Sequence, residues 1–301
     1  MPLWRGVKIM ETRLQQVKEN LFPGAWPSIV DWESFPWHEG RDEKPDTHKP
    51  HSSQAMALDV FGTLEVHPYR NQLIAVMMQL AYPKHGPRSV RWNLGKEVEI
   101  HTLGEPRPTQ LDALIEGEAD VVAIESKFCE AGAGTCSQPP RQCNGRYELQ
   151  TNPDNEVTAR CALSGKGIRY WDHIPRLFDL DSEQDYPGEC HFRDGKYQYM
   201  RNFVAAESLA MMADPPKRSF FVLLYAAGDL FPISQEIGAP SSPWNLWRDR
   251  LNDDCRRRTV AISVQDLVGA WARALPDDAV MADLEDWILT KRIPDGESHL
   301  A

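Results

Sequence analysis

The sequence predicts an α/β protein with a mixed central sheet flanked by helices, and three observations carry that expectation. Glu97 to Thr102 and then Thr109 to Glu130 (TQLDALIEGEADVVAIESKFCE) alternate polar and apolar residues between turn-formers, as consecutive strands do. Ser219 to Ala227 (SFFVLLYAA) is a continuous apolar run, the pattern of a strand covered on both faces. Segments with helical spacing surround these strands: one through Gln54, Ala55, Leu58 and Phe61, a second over Arg70 to Ala81, and a third over Lys196 to Ala213. The expected sheet is an antiparallel meander plus a further strand.

In the first strand of the meander Val98 and Ile100 point one way, Glu99 and His101 the other. Gly104-Glu105-Pro106-Arg107-Pro108 turns the chain into the second strand, and that loop leaves open whether Glu99 joins the polar face of the next two. A turn at Gly117-Glu118-Ala119-Asp120 sets Asp112 against Glu125 and Gln110 against Lys127. Those four side chains then share one face, while Leu111, Ala113, Ile115, Val122, Ile124 and Phe128 share the core face. Opposed carboxylates have Cβ atoms roughly 4.5–5.5 Å apart and repel. A hard divalent cation, Mg²⁺ or Mn²⁺, would offset that repulsion, and a lysine beside it suits phosphodiester hydrolysis by stabilising phosphate charge or positioning water. The bland alternative is a solvated hairpin face bearing the same residues.

Asp112, followed on the next strand by Glu125-Ser126-Lys127, resembles the signature of the PD-(D/E)XK nuclease superfamily, in its restriction-endonuclease-like branch. The upstream HSSQAMAL helix and the downstream YQYMRN helix extend the resemblance over roughly residues 51 to 228. The resemblance implies a restriction-endonuclease-like core and a Mg²⁺- or Mn²⁺-dependent deoxyribonuclease of the endonuclease type. By it, Asp112 and Glu125 bind metal, Lys127 positions or activates water, and Gln198 assists. Arg201 would bind phosphate, and the first helix would lend Ser53 or Gln54 to the substrate, with Glu65 a further candidate. DNA is the implied partner, RNA is not separated from it, and a homodimer is compatible. The second reading is a nuclease-fold module without turnover that binds nucleic acid or a protein partner.

At 301 residues, 42% hydrophobic and 26% charged, the chain has the composition of a soluble globular protein. It has no apolar run of about 18 residues, which argues against a membrane span. The start, MPLWRGVKIMETRL, lacks a secretory core, so a cytoplasmic protein is expected. A net charge of −11 argues against indiscriminate coating of nucleic acid. Two local clusters offer phosphate contacts or plain solvated charge: Lys84, Arg88, Arg91 and Lys96, and Arg256, Arg257 and Arg258.

Three regions are expected: an N-terminal helix and wrapping loop over 1–50, a nuclease-like core over 51–230 with an insertion at 131–193, and a C-terminal helical extension over 231–301. Residues 7 to 21 have amphipathic spacing, and Trp26, Trp32 and Trp37 in the loop that follows are expected to pack onto the domain. Ser52 or Ser53 caps the first core helix. The insertion holds Cys136, Cys143, Cys161 and Cys190, which are compatible with a Zn²⁺ or iron–sulfur site or with buried thiols; their spacing shows no CxxC knuckle. It also carries Arg141, Arg146, Arg160, Lys166, Arg169 and Arg176, as a substrate-facing loop would. Beyond Gly228 the periodicity predicts helices alone, opened at Ser242-Pro243, Ser263 and Asp278.

Overall fold

Five strands form one sheet in chain order: β1 (Trp92–Ile100), β2 (Thr109–Gly117), β3 (Asp120–Lys127), β4 (Arg218–Tyr225) and β5 (Thr259–Ser263). The structure is a computed structural model, and it describes residues 13–40, 44–84, 86–130, 132–136, 138–139, 142–143, 161–180 and 189–291. β1, β2 and β3 pair antiparallel, and β4 and β5 run parallel to β3. Between β2 and β3 the pairs Ala113 with Ile124 and Ile115 with Val122 set the predicted register, which one residue further on places Asp112 against Glu125. β5 corrects the expectation of helices alone at the C-terminal end. TVAIS is five residues long and runs straight into a helix cap, too short for its period to separate from helical spacing.

Both faces of the sheet are covered. Phe221 of β4 meets Phe203 at a centroid distance of 6.0 Å, whereas its neighbour Phe220 meets Tyr82 at 5.0 Å. Adjacent strand residues point to opposite faces. The helix carrying Phe203 (Tyr197–Met212) therefore lies on one face, and Arg70–Ala81, which Tyr82 caps, lies on the other. Trp271 of helix Val264–Ala274 donates its indole N–H to the Leu73 carbonyl at 2.8 Å and so joins the second layer. Every residue of β3 is consequently buried, Glu125 and Lys127 among them. A solvated hairpin face is excluded.

In the order used below, α1 comprises Ser53–Ala57, a π-type stretch Leu58–Gly62 and Thr63–Val66; α2 is Arg70–Ala81, α3 Tyr197–Met212, α4 Val264–Ala274 and α5 Ala279–Thr290. The cap of α1 is Ser52, whose hydroxyl accepts from the Ala55 N–H at 3.2 Å, and this leaves the Ser53 hydroxyl for another partner. Met56, Phe61, Leu73 and the pair Met77 and Met78 are core residues, each apolar side chain contributing on the order of 1.5–3 kcal/mol on burial. Residues 13–20 are helical, while residues 7 to 12 of the expected helix lie outside the described set. Val17, Leu21, Ile29 and Trp37 pack on Ala55 and Leu58 of α1. Trp32 and Phe35 pack at tilted angles on Trp37, as expected of the aromatic loop, whereas Trp26 is exposed and only its indole N–H is engaged, by the Leu21 carbonyl at 3.2 Å.

Asp59 of α1, fully buried, ties Phe22 to Trp287 and Lys291. Its carboxylate accepts from the Phe22 N–H at 2.6 Å and the Trp287 indole at 3.0 Å, and pairs with Lys291 at 2.5 Å. Burial raises its pKa, opposed by Lys291 and by these hydrogen bonds. Removing one partner of a buried pair leaves the other charge uncompensated, at a cost of about 3–5 kcal/mol. Asp59→Ala is therefore expected to lower the free energy of unfolding by about that amount. Urea denaturation measures it, and an unchanged midpoint would show that the tie carries no stability.

Candidate active site

Three adjacent strands contribute acids to one face. The pairs Lys96 with Ala113 and Val98 with Leu111 flank Glu97 and set it opposite Asp112. Glu97 holds φ at +51°, rare for a residue with a side chain, and such strain concentrates at functional sites. The next strand adds Glu125 and Lys127. Glu125 follows Ala123 by two residues, and Ala123 lies beside Phe221, so the acidic face is the one covered by α3. α3 in turn presents Gln198 and Asn202, four residues apart and one above the other.

The polar groups interlock. Lys127 Nζ lies 2.7 Å from Glu125 Oε1 and donates to Gln198 Oε1 at 3.0 Å. Asn202 Nδ2 donates to Glu125 Oε2 at 2.5 Å, and the Ser126 N–H donates to Asp112 Oδ2 at 2.6 Å. Gln110 Nε2 donates to Glu97 Oε2 at 2.7 Å. Just past β3, Glu130 Oε2 accepts from the N–H groups of Phe128 and Cys129 at 2.9 and 3.1 Å, and the Ser53 hydroxyl bonds the same carboxylate. His38 comes from the wrapping loop, its Nε2 3.9 Å from Glu97 Oε2. One ligand atom from each of His38, Glu97 and Asp112 lies within 4.8 Å of the others. A cleft of about 510 Å³ opens onto this constellation, lined also by Arg107, Pro108 and Arg201.

Electrostatics follow from burial and crowding. Burial, then Glu125 and Glu97, hold the Asp112 carboxyl well above its ordinary pKa. Burial likewise pushes Glu97 up to about 7 and raises Glu125, although Lys127 opposes the latter. Glu130 ends below its ordinary value: burial would raise it, but Lys127, Ser53 and backbone N–H groups prevail. Burial alone would lower Lys127, yet Glu125, Glu130 and Asp112 hold its ammonium above the usual lysine range. Desolvation of its ring lowers the His38 pKa from its ordinary value, although the side chain is half exposed. Four carboxylates thus face one ammonium. The donor set, carboxylate oxygens with a neutral imidazole, fits a hard divalent ion, Mg²⁺ or Mn²⁺.

A pH dependence follows from Glu97. Its folded-state pKa of about 7 exceeds the ordinary 4.5, so between those values the folded chain keeps a proton that the unfolded chain has lost. Without a divalent ion, stability should fall as pH rises through that window; with one, ionised Glu97 would be placed to act as a ligand. Addition of Mn²⁺ should therefore raise Tm more at pH 8 than at pH 5.5. Equal increments at both pH values would remove Glu97 from the ligand set.

The structure brings Asp112, Glu125, Lys127, Gln198, Ser53 and Arg201 to one cleft. Arg201 stands at its rim, with Nε 2.7 Å from Glu105 Oε1 and Nη2 donating to the Arg107 and Pro108 carbonyls. Gln54 does not line the cleft but hydrogen-bonds the Glu97 side chain from behind it. Fully buried, it accepts from the His38 N–H at 2.9 Å and donates to the Pro36 carbonyl at 3.0 Å, fixing the loop that delivers His38. Glu65 pairs with Lys96 instead. Glu99, more than half exposed and 3.4 Å from His101, lines the outer part of the same cleft. Of the basic clusters, Lys96 is engaged by Glu65 and the Ser28 carbonyl, and Arg256 and Arg258 fasten neighbouring carbonyls. Arg141, Arg146 and Arg160 lie outside the described residues. Sequence reasoning missed Glu97, Glu130 and His38. For Glu97 a signal existed, since it shares the parity of Glu99; for His38, on an aperiodic loop, none did.

Among the described residues no helix is long and apolar enough to cross a membrane. No curated protein and no solved structure matches the chain. A family model described as Restriction Endonuclease associating with ARP matches residues 29–287, a span that takes in all five strands and every residue of the cleft. With its acid on β2, its Glu-Ser-Lys on β3 and a match over most of its length, the chain belongs to this restriction-endonuclease-like family.

Proposed function

We propose that the protein is a divalent-metal-dependent endonuclease of the PD-(D/E)XK type that hydrolyses DNA phosphodiester bonds. The observation that carries this reading is the gathering of buried Glu97 and Glu125 and half-buried Asp112 on adjacent strands beside one lysine that Gln198 and Glu125 hold in place. Like charges gathered in a covered face are costly unless a cation uses them. Asp112 and Glu125 would hold the ion, with Glu97 and His38 completing the donor set. When bound, the ion supplies positive charge that neutralises the carboxylates and stabilises the phosphate in the transition state.

Lys127 acts as a fixed positive charge. Its ammonium donates toward the phosphate or orients the attacking water, and Gln198 limits the directions it can take. Asn202 keeps Glu125 Oε2 occupied, which leaves Oε1 turned to Lys127. Ser53 and two backbone N–H groups hold Glu130 ionised, adding negative charge that keeps Lys127 protonated. Arg201, at the rim, is placed to meet substrate phosphates beyond the scissile one. The family description also names an association with ARP, and work alongside such a partner is part of the proposal.

The experiment is a substrate panel: supercoiled, linear and single-stranded DNA, and RNA, each with Mg²⁺, Mn²⁺ or chelator. Metal-dependent cutting of DNA supports the reading. Cutting of RNA alone moves the substrate class, and intact binding without cutting leaves a nucleic-acid-binding module in its place.

A further inference from the structure

Six cysteines occur in the chain, and four of them, Cys136, Cys143, Cys161 and Cys190, line a single cavity of about 240 Å³. Cys129 and Cys255 do not. The four come from separate stretches of the insertion, up to 54 residues apart in sequence (190 less 136), so their convergence is a property of the fold. The remaining wall is largely aromatic and apolar, with Tyr170, Trp171, Phe192 and Met200 among its residues. Such surroundings limit water at a thiolate-bound centre, and the four thiols themselves are half-buried. The loop is braced on both sides: the Ala133 N–H donates to the Gly195 carbonyl at 2.8 Å, the Gln198 N–H to the Ala133 carbonyl at 2.9 Å, and Lys166 Nζ to Gln142 Oε1 at 2.9 Å.

The spacing of the thiols bears on what would fill the cavity. A zinc ion with Zn–S bonds of about 2.3 Å gathers its tetrahedral sulfurs to about 3.8 Å from one another. Among the described residues, no three of these sulfurs approach within 4.8 Å of each other, whereas one atom each of His38, Glu97 and Asp112 does. The cysteines stand around the void instead of meeting at its centre. A sulfide-bridged iron cluster is the larger occupant, held by one cysteine thiolate at each of its outer positions.

We propose that Cys136, Cys143, Cys161 and Cys190 ligate an iron–sulfur cluster that fills this cavity and pins the insertion to the first turns of α3. Tyr197 and Met200 of α3 line the cavity, while Gln198 and Asn202, interleaved with them, hold Lys127 and Glu125. The cluster would therefore stiffen the part of α3 that positions those two partners. Its existence does not depend on the nuclease reading, because its test reads metal and sulfide.

The test uses the full chain purified without oxygen and without chelator. The expected result is a broad visible absorption band, with iron and acid-labile sulfide in equal amounts, about two to four of each per chain. Cys161→Ser and Cys190→Ser should lose both, and Cys255→Ser should keep them. If the serine variants fail to fold, the parent protein decides the matter. Oxidation with an iron chelator present should bleach the band, and ferric iron with sulfide and excess thiol, which reduces the share of iron that the cluster holds as ferrous, should restore it. One zinc per chain in place of iron, or metal-free protein with all four thiols open to alkylation, would overturn the cluster.

Discussion

Asp112→Asn is expected to abolish metal-dependent DNA cleavage, with a fall of at least about 100-fold, while the protein folds as before. The amide is nearly isosteric with the carboxylate, and its oxygen can still accept from the Ser126 N–H as Asp112 Oδ2 does at 2.6 Å. Only the charge is lost. That charge is repelled by Glu125 and Glu97. The variant should therefore be at least as stable as the parent in chelator, yet gain less from added Mg²⁺ or Mn²⁺. Calorimetric titration with Mn²⁺ and thermal melts measure both effects. A variant that loses activity through misfolding would instead melt early in chelator.

Lys127→Ala should lose activity by another route. The metal donors stay in place, so the midpoint of the Mg²⁺ titration should hold near that of the parent while the plateau falls by about 10²–10³-fold, as when a positioned transition-state donor is removed. The change also strips Glu125, whose side chain is 2% exposed, of its ion-pair partner. Breaking a buried pair costs about 3–5 kcal/mol, so this variant should be destabilised in chelator and partly rescued by the divalent ion. The two variants then move in opposite directions: one is stable and blind to metal, the other fragile and responsive. Indistinguishable metal titrations would mean that the roles assigned to Asp112 and Lys127 are wrong.

The β2–β3 pairing and its polar face were legible because alternation has a period of two and the turn between the strands is short; those constraints fix register. The resemblance then supplied Gln198 and Arg201 on a helix far along the chain, and α3 does cover the acidic face. β5 was hidden because five residues bounded by an arginine run and a helix cap show no measurable period. Glu97 escaped because strand pairing across the longer loop before β2 is not fixed by turn geometry. Glu130 escaped because the chain bends after Lys127 and breaks the alternation that would have excluded it from the face. His38 depends on a tertiary tie, the Gln54 side chain accepting its backbone N–H. No local pattern encodes such a contact, and the same tie explains why Gln54, expected at the substrate, is buried behind the loop.

Incubating supercoiled plasmid with the parent protein and with Asp112→Asn, each with Mn²⁺ and with chelator, tests the central claim most directly. The account predicts nicked and linear DNA from the parent with Mn²⁺ and intact plasmid in the other three reactions. Equal cutting by both proteins, or cutting by the parent in chelator, would contradict it.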